Sequence, residues 1–305
     1  MTRSETAERK APGALYFPGG QASTRTGILW MLVATLLFVC QDSTARILLA
    51  SCPPAEIAFA RFFVHLVLVG SFLGWREPLL MGTRRPVLQM LRSGLLLGTT
   101  LFGLLALNVM PFLDFSAVAW VAPVLVTALS VWLLREKVGL RGWLSVFAGL
   151  AGVWVIVGQG GIDFSPLMAW PLLAALCNAL YQIATRKLHT SDPALTTLFY
   201  SPLAGAIFCA ALLPFVGVAP KPADLALMVL LGALGVASHF CMIRAFAAAP
   251  ANIIAPFGYT ALLWALLSGV VIFAEIPSLR TIIGAGLIVA AGLSIFLGVQ
   301  LRRSV

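Results

Sequence analysis

The 305-residue chain is 60% hydrophobic and only 10% charged, with a mean hydropathy of +0.99. Soluble domains carry about 25% charged residues, so this chain has too little polar surface for a water-soluble globule, and its excess apolar surface requires a bilayer. That excludes a soluble enzyme and a disulfide-stapled secreted domain. The net charge of +9 does not argue for nucleic acid either, because most Lys and Arg sit in short connections between apolar stretches, the pattern that orients membrane helices.

In chain order, an N-terminal tail (1–26) holds Arg3, Arg9, Lys10 and Arg25 among Pro and Gly. The first apolar stretch is full length and lacks a clear small-residue cleavage site, so it reads as an uncleaved signal-anchor. Ten apolar segments follow, at 27–47, 54–74, 88–108, 112–134, 139–158, 167–186, 193–214, 224–247, 251–274 and 278–300. Each is long enough to cross about 30 Å as a helix rising about 1.5 Å per residue. Strands of a membrane barrel alternate apolar and polar residues, and stretches such as Leu95-Leu96-Leu97 do not. A short tail (301–305) ends the chain. The expected fold is an all-α integral membrane protein of ten transmembrane helices. About fifteen cations lie in the two tails and on one set of connections, against three on the other set. This asymmetry predicts that both termini face the cytoplasm of an inner-membrane protein.

The chain also resembles itself. A shift of 139 or 140 positions pairs Trp30 with Trp170, Arg46 with Arg186, Pro54 with Pro193, Pro111 with Pro250 and Glu136 with Glu275. This divides the chain into two repeats, 27–158 and 167–300, of five helices each. Five is odd, so the second repeat enters the membrane upside down. Such an inverted repeat is a common construction of secondary transporters. Pro123, Pro171, Pro202 and Pro256 interrupt apolar segments and are able to kink helices. Gly94 and Gly98 form a G-x-x-x-G pattern suited to close helix packing. Cys40, Cys52, Cys177, Cys209 and Cys241 show no metal-ligand spacing and read as small packing residues.

Two segments carry a resemblance to a known family. Ala122-Pro123-Val124 through Leu133-Leu134-Arg135-Glu136-Lys137 is similar to the fourth helix of EamA-type drug/metabolite transporters. Ala255-Pro256-Phe257-Gly258-Tyr259-Thr260 through Phe273-Ala274-Glu275 is similar to their ninth, and Gly284-Ala285-Gly286-Leu287-Ile288 to their last. The resemblance spans residues 27–300 and implies ten helices around a central cavity that passes small metabolites across the inner membrane. Most such proteins are regarded as exporters, and some resemble importers of riboflavin or S-adenosylmethionine. The family often has Gly before each of the two Glu residues, where this chain has Arg135 and Ala274.

Charged and polar residues inside spans are the candidate site, because burial in the bilayer is costly without a role. Asp42 and Arg61 lie at similar depth on antiparallel segments and are expected to pair. His65 lies one turn beyond Arg61, and His239 lies in the eighth segment. With Asp42 they are the candidate proton-coupling groups. Asn178, Tyr181 and Gln182 form a polar face on the sixth segment, while Trp120, its repeat mate Tyr259, and Trp264 supply aromatic surface for a ligand. No H-E-x-x-H, G-x-S-x-G or paired intramembrane Asp suggests an enzyme, and an inverted repeat serves no purpose in a passive scaffold. The expected function is export of an amino acid or an amino-acid-derived compound such as a metallophore, by alternating access. Uptake of riboflavin or a similar ring compound is the alternative. Small-molecule substrate and membrane lipid are the expected partners, with no nucleic acid, metal or cofactor. A monomer is sufficient, and a homodimer is compatible with the sequence.

Overall fold

The computed structural model describes residues 24–133, 139–157, 169–188, 191–248 and 255–301. Among these residues every regular element is helical. The first repeat contains α1 (Thr24–Leu48), α2 (Pro54–Arg76), α3 (Pro86–Val109), α4 (Phe112–Ala119 and Ala122–Leu133) and α5 (Leu140–Val157). The second contains α6 (Ala169–Leu188), α7 (Ala194–Tyr200 and Leu203–Val216), α8 (Pro222–Ala248), α9 (a 3-10 turn Ala255–Tyr259 continued by Thr260–Phe273) and α10 (Leu279–Leu301). Each expected segment thus becomes one helix, allowing for breaks in α4, α7 and α9. Six of the helices are long and apolar enough to cross a bilayer, and three more carry shorter apolar stretches. In α6, Asn178, Gln182, Thr185, Arg186 and Lys187 lower the hydropathy.

Local signals explain the boundaries. Proline opens α2 and α3, where a missing N–H costs nothing. The end of α9 is unusual: Ala274 adopts a left-handed conformation (φ 52°). That turn lets the Glu275 N–H return to the Gly269 carbonyl at 2.9 Å.

Packing follows the repeat. The α1–α8 interface is matched by its repeat-related counterpart, α6 against α3. The α2–α7 and α5–α10 interfaces each relate to themselves, so they straddle the pseudo-two-fold axis. Small residues set the approach of these helices. A Cβ on Gly152 would lie 2.6 Å from the Gly284 carbonyl oxygen, and one on Gly284 equally close to that of Gly152. A Cβ on Gly205 would penetrate the Phe62 ring. In lipid, close packing of this kind replaces the hydrophobic effect as the force between helices.

The helices are clipped at both faces. On the face where α1 begins, the N-terminal face, Asp192 in the α6–α7 connection accepts three hydrogen bonds from the other repeat. Its donors are the Thr83 hydroxyl (2.5 Å), the Arg84 N–H (3.0 Å) and the Gln89 amide (2.9 Å). Thr196 and Tyr200 extend the clip by donating to the Leu80 and Met81 carbonyls. On the opposite face, Glu56 accepts the Val218 N–H (3.1 Å) and Asp224 accepts the Ser51 hydroxyl (3.0 Å). The two clips join repeat-related connections.

Candidate functional site

The break in α7 is the starting point. Pro202 has no N–H, so the helix cannot bond back to Leu198. The freed groups find partners in the first repeat. The Ser93 hydroxyl of α3 donates to the Ser201 carbonyl (2.7 Å) and accepts the Ala204 N–H (2.8 Å). His65 of α2 lies beside the Leu198 backbone. Broken backbone inside a membrane protein persists only where such partners exist.

Around this break lies a cluster of buried polar side chains. Arg92 of α3 is only 4% exposed. Its guanidinium donates to the hydroxyls of Thr185 (2.7 Å), Ser201 (2.9 Å) and Tyr181 (2.5 Å) and to the Thr197 carbonyl (3.0 Å). It also lies 4.3 Å from the centroid of the Tyr181 ring, a cation–π contact. Tyr181 is within electrostatic reach of Arg61 as well. His65 and His239 are buried beside the two guanidinium groups, their ring centroids 6.0 Å apart. The His65 Nε2 atom is buried without a hydrogen-bond partner among the described residues.

The expected Asp42–Arg61 ion pair does not form. Among the described residues the ion pair present is Arg46–Glu275 (3.9 Å), at the face opposite the N-terminus. Arg61 instead meets Gln41, the neighbour of Asp42. In the orientation of the Gln41 amide that satisfies both groups, its oxygen lies 2.7 Å from Arg61 Nε, 3.0 Å from Nη2 and 3.1 Å from Nη1. A guanidinium carries five N–H donors, so this single oxygen leaves some of them for another acceptor. Asp42 makes no hydrogen bond among the described residues, although Arg61 lies within electrostatic reach of it. On α1 it lies away from the lipid-exposed stripe of Leu29, Val33, Leu36 and Ile47, yet it keeps partial exposure.

The remaining sequence candidates divide. Gln182 and Asn178 contact each other one turn apart on α6 (3.4 Å), near Tyr181. Trp120, Tyr259 and Trp264 form a separate aromatic group where α4 and α9 break. Trp120 packs beside Gly258, where a Cβ would lie 3.6 Å from the ring. The Tyr259 hydroxyl is buried without a partner among the described residues. Trp264 has a structural bond, donating to Thr35 (3.2 Å), whose hydroxyl also meets Thr260 (3.0 Å). Glu275 accepts the Leu113 N–H (3.4 Å) in addition to pairing with Arg46, while Glu136 lies outside the described residues. Arg92 and Gln41 were not among the sequence candidates. Arg92 was detectable, being a charge inside an apolar segment by the same rule that found Arg61. Gln41 carries no such signal.

Comparison with known proteins agrees with this architecture. The model of the EamA-like transporter family matches twice, over residues 25–158 and 166–297. The S-adenosylmethionine uptake transporter of Rickettsia prowazekii (strain Madrid E) is 28% identical over 269 residues, covering 88% of this chain and 92% of that one. The riboflavin transporter of Vibrio cholerae is 27% identical over 270 residues, covering 86% and 90%. The riboflavin transporter of Brucella anthropi is 25% identical over 247 residues, covering 79% and 87%. A solved crystal structure superposes with a TM-score of 0.64 at 24% identity, covering 90% of this chain and 98% of that one, which is a likeness of fold. With two copies of the family model spanning nearly all of its ten helices, the chain belongs to the EamA-like transporter family of multi-pass membrane proteins that carry small metabolites.

Proposed function

We propose that this protein is a secondary transporter of the bacterial inner membrane that moves a zwitterionic, amino-acid-bearing metabolite by alternating access between its repeats. The observation that carries this reading is that Asp42 and Arg61 are close but uncommitted to each other. An amino-acid head group has an ammonium for Asp42 and a carboxylate for the remaining donors of Arg61. Trp120 and Tyr259 offer ring faces to the rest of the molecule, with Asn178, Tyr181, Gln182 and Trp264 as further candidate contacts. S-adenosylmethionine has both an amino-acid head and a ring system. The relatives named as uptake transporters favour inward movement over the export that sequence suggested. Both termini are cytoplasmic in this reading, so the N-terminal face is the inner one, and the cation asymmetry supports it. Asp42, His65 and His239 are the candidate groups for a coupling proton.

The test is transport by purified protein in proteoliposomes, comparing radiolabelled S-adenosylmethionine with riboflavin. Saturable movement of the first is expected, with Asp42→Asn and Arg61→Gln each weakening apparent affinity about tenfold, near 1.4 kcal/mol. Movement of riboflavin alone, unaffected by either change, overturns the zwitterion reading in favour of an uncharged ring substrate.

A further inference from the structure

The α2–α3 connection is built as a fixed platform. Its 3-10 turn, Pro78–Met81, is held through the Leu80 and Met81 carbonyls by the hydroxyls of Thr196 (2.7 Å) and Tyr200 (3.0 Å) of α7. The Thr83 hydroxyl donates to Asp192 (2.5 Å) and accepts the Arg85 N–H (3.1 Å), so the chain that carries Arg84 and Arg85 is fixed as well. Yet the platform turns large apolar side chains outward at the ends of two spans: Leu79 and Val87 are each 82% exposed, and Trp75 79%. Arg76, Arg84 and Arg85 are exposed among them, and none forms an ion pair among the described residues. Arg76 lies over the Trp75 ring, 4.7 Å from its centroid. Between the turn and residues 191–196 of the other repeat opens a cavity of about 450 Å³, walled by Leu79, Leu80, Arg84, Ser191, Asp192 and Thr196. Ligand sites commonly have volumes of about 300–1,000 Å³.

The repeat-related connection on the opposite face, 217–221, separates what is general here from what is special. It too has exposed apolar side chains, Phe215 and Val218, as the rim of a membrane protein does, but its one cation is Lys221. The three arginines are the addition. We propose that the platform binds an anionic phospholipid, its phosphate held by Arg84 and Arg85 at the cavity and its acyl chains laid against Leu79, Trp75 and Val87. A guanidinium meets a phosphate with paired N–H donors. Within the cavity the Ser191 and Thr196 hydroxyls already donate to the Leu188 and Leu80 carbonyls, and three donors fill the Asp192 carboxylate. The Arg84 guanidinium is therefore the side-chain donor left for a ligand. Asp192 lies within electrostatic reach of Arg84 and offsets that charge in part; Arg85 and Arg76 remain to neutralise the lipid. The apolar neighbours decide the ligand class. A free phosphate gains nothing from Leu79, Trp75 or Val87, whereas acyl chains cover all three. Tryptophan favours the head-group level of a bilayer, and basic pockets between membrane helices take anionic head groups. Bound there, the lipid touches both repeats at the Asp192 clip and reinforces their contact, whichever metabolite the protein carries.

The experiment titrates phosphatidylglycerol, or phosphatidylcholine with the same acyl chains, into the full chain in detergent and reads thermal unfolding. Phosphatidylglycerol is expected to raise the melting temperature of wild type, and phosphatidylcholine at equal mole fraction to give less than half that rise. The double variant Arg84→Gln, Arg85→Gln is expected to weaken apparent affinity for phosphatidylglycerol at least tenfold. It keeps the main-chain bond from the Arg84 N–H to Asp192, so the clip survives. Should the double variant fail to fold, Arg84→Gln alone serves, with a loss of at least threefold. Leu79→Ser is expected to weaken affinity at least threefold through the acyl chains. Arg25→Gln, which removes an exposed cation of the same face outside the platform, is expected to change it less than twofold. Three results overturn the inference. The first is an equal rise with both lipids. The second is an equal loss in Arg25→Gln and the double variant, the mark of general surface charge. The third is a full rise with soluble glycerol phosphate alone, which assigns the arginines to a free phosphate and leaves the apolar rim without a part in binding.

Discussion

The Asp192 clip allows the sharpest structural prediction. Its carboxylate ties the α6–α7 connection to the α2–α3 connection through three hydrogen bonds. Hydrogen bonds to a charged group contribute about 1.5–3 kcal/mol each. Taking the low end, because Arg84 is exposed, Asp192→Ala is expected to cost about 4–5 kcal/mol, part of it from leaving the buried Gln89 amide with only its 3.4 Å bond to the Thr197 hydroxyl. Asp192→Asn keeps one acceptor oxygen and is expected to cost about 1–2 kcal/mol. The pH dependence has a definite sign. Burial raises the Asp192 pKa, but the Thr83 hydroxyl, the Arg84 N–H, the Gln89 amide and the Arg84 charge together outweigh it, and the folded-state value lies below the ordinary carboxylate range. A depressed pKa gives stability that is full above the unfolded value, near 3.9, and is lost as pH falls through the folded value. Thermal unfolding in detergent, followed by tryptophan fluorescence, measures both effects. Wild type is expected to exceed both variants by a constant margin from pH 8 to about pH 5, and the margin over Asp192→Ala to shrink below about pH 4. Equal stability of all three proteins at pH 7, or a margin that grows on acidification, refutes the assignment of the clip to the ionised carboxylate.

Other predictions concern packing and the aromatic group. Gly152→Val places side-chain atoms against the Gly284 carbonyl, and overpacking is expected to cost about 1–3 kcal/mol in the same unfolding assay. Ala274→Gly acts in the opposite direction, since a left-handed residue with a Cβ is strained by about 1–2 kcal/mol and glycine removes that strain; a rise in melting temperature checks it. Trp120→Ala and Tyr259→Ala are each expected to weaken apparent substrate affinity about tenfold in transport kinetics at matched protein levels. Unchanged affinity in both variants removes the aromatic group from the site.

Most of the fold was legible because hydropathy and membrane thickness leave few alternatives. A run of about 20 apolar residues has one stable form in a bilayer, a helix that satisfies its own backbone. The internal shift was legible because the halves share punctuation: Pro54 and Pro193 open related helices, while Trp120 and Tyr259 mark related breaks. The effect of the prolines was less legible. Pro171 sits in the first turn of α6, where no donor is lost, and leaves the helix unbroken, while Pro202 divides α7. The site was half legible. Depth arithmetic brought Asp42 and Arg61 to one level, but helix rotation decides which neighbour a long side chain meets, and rotation differs by about 100° between Gln41 and Asp42. The Arg46–Glu275 contact was invisible for another reason: it joins the first repeat to the end of α9, and its distance depends on how the two bodies are docked.

The broken α7 also explains why the two buried arginines stand in different energetic states. At Thr197 and Ser201 the chain offers a carbonyl and a hydroxyl to a guanidinium, and α6 adds the hydroxyls of Tyr181 and Thr185. The repeat mate of this region in α2 is an unbroken helix, so Arg61 meets the Gln41 amide oxygen and the charge of Asp42 rather than freed backbone groups. Arg92 is therefore satisfied by neutral acceptors without ligand, whereas Arg61 is held by one amide oxygen and the nearby charge of Asp42, with no direct ion pair. Replacing each with leucine, of comparable length but no charge, separates the two states. Arg92→Leu strands four acceptors and is expected to destabilise the ligand-free protein by about 3–5 kcal/mol. Arg61→Leu removes a charge with fewer partners and is expected to cost less than Arg92→Leu, the remaining cost coming from Asp42 left without its cation. Thermal unfolding without substrate reads both. The reverse order, with Arg61→Leu the more damaging, would mean that Arg61 is held by partners and is not the group waiting for a ligand.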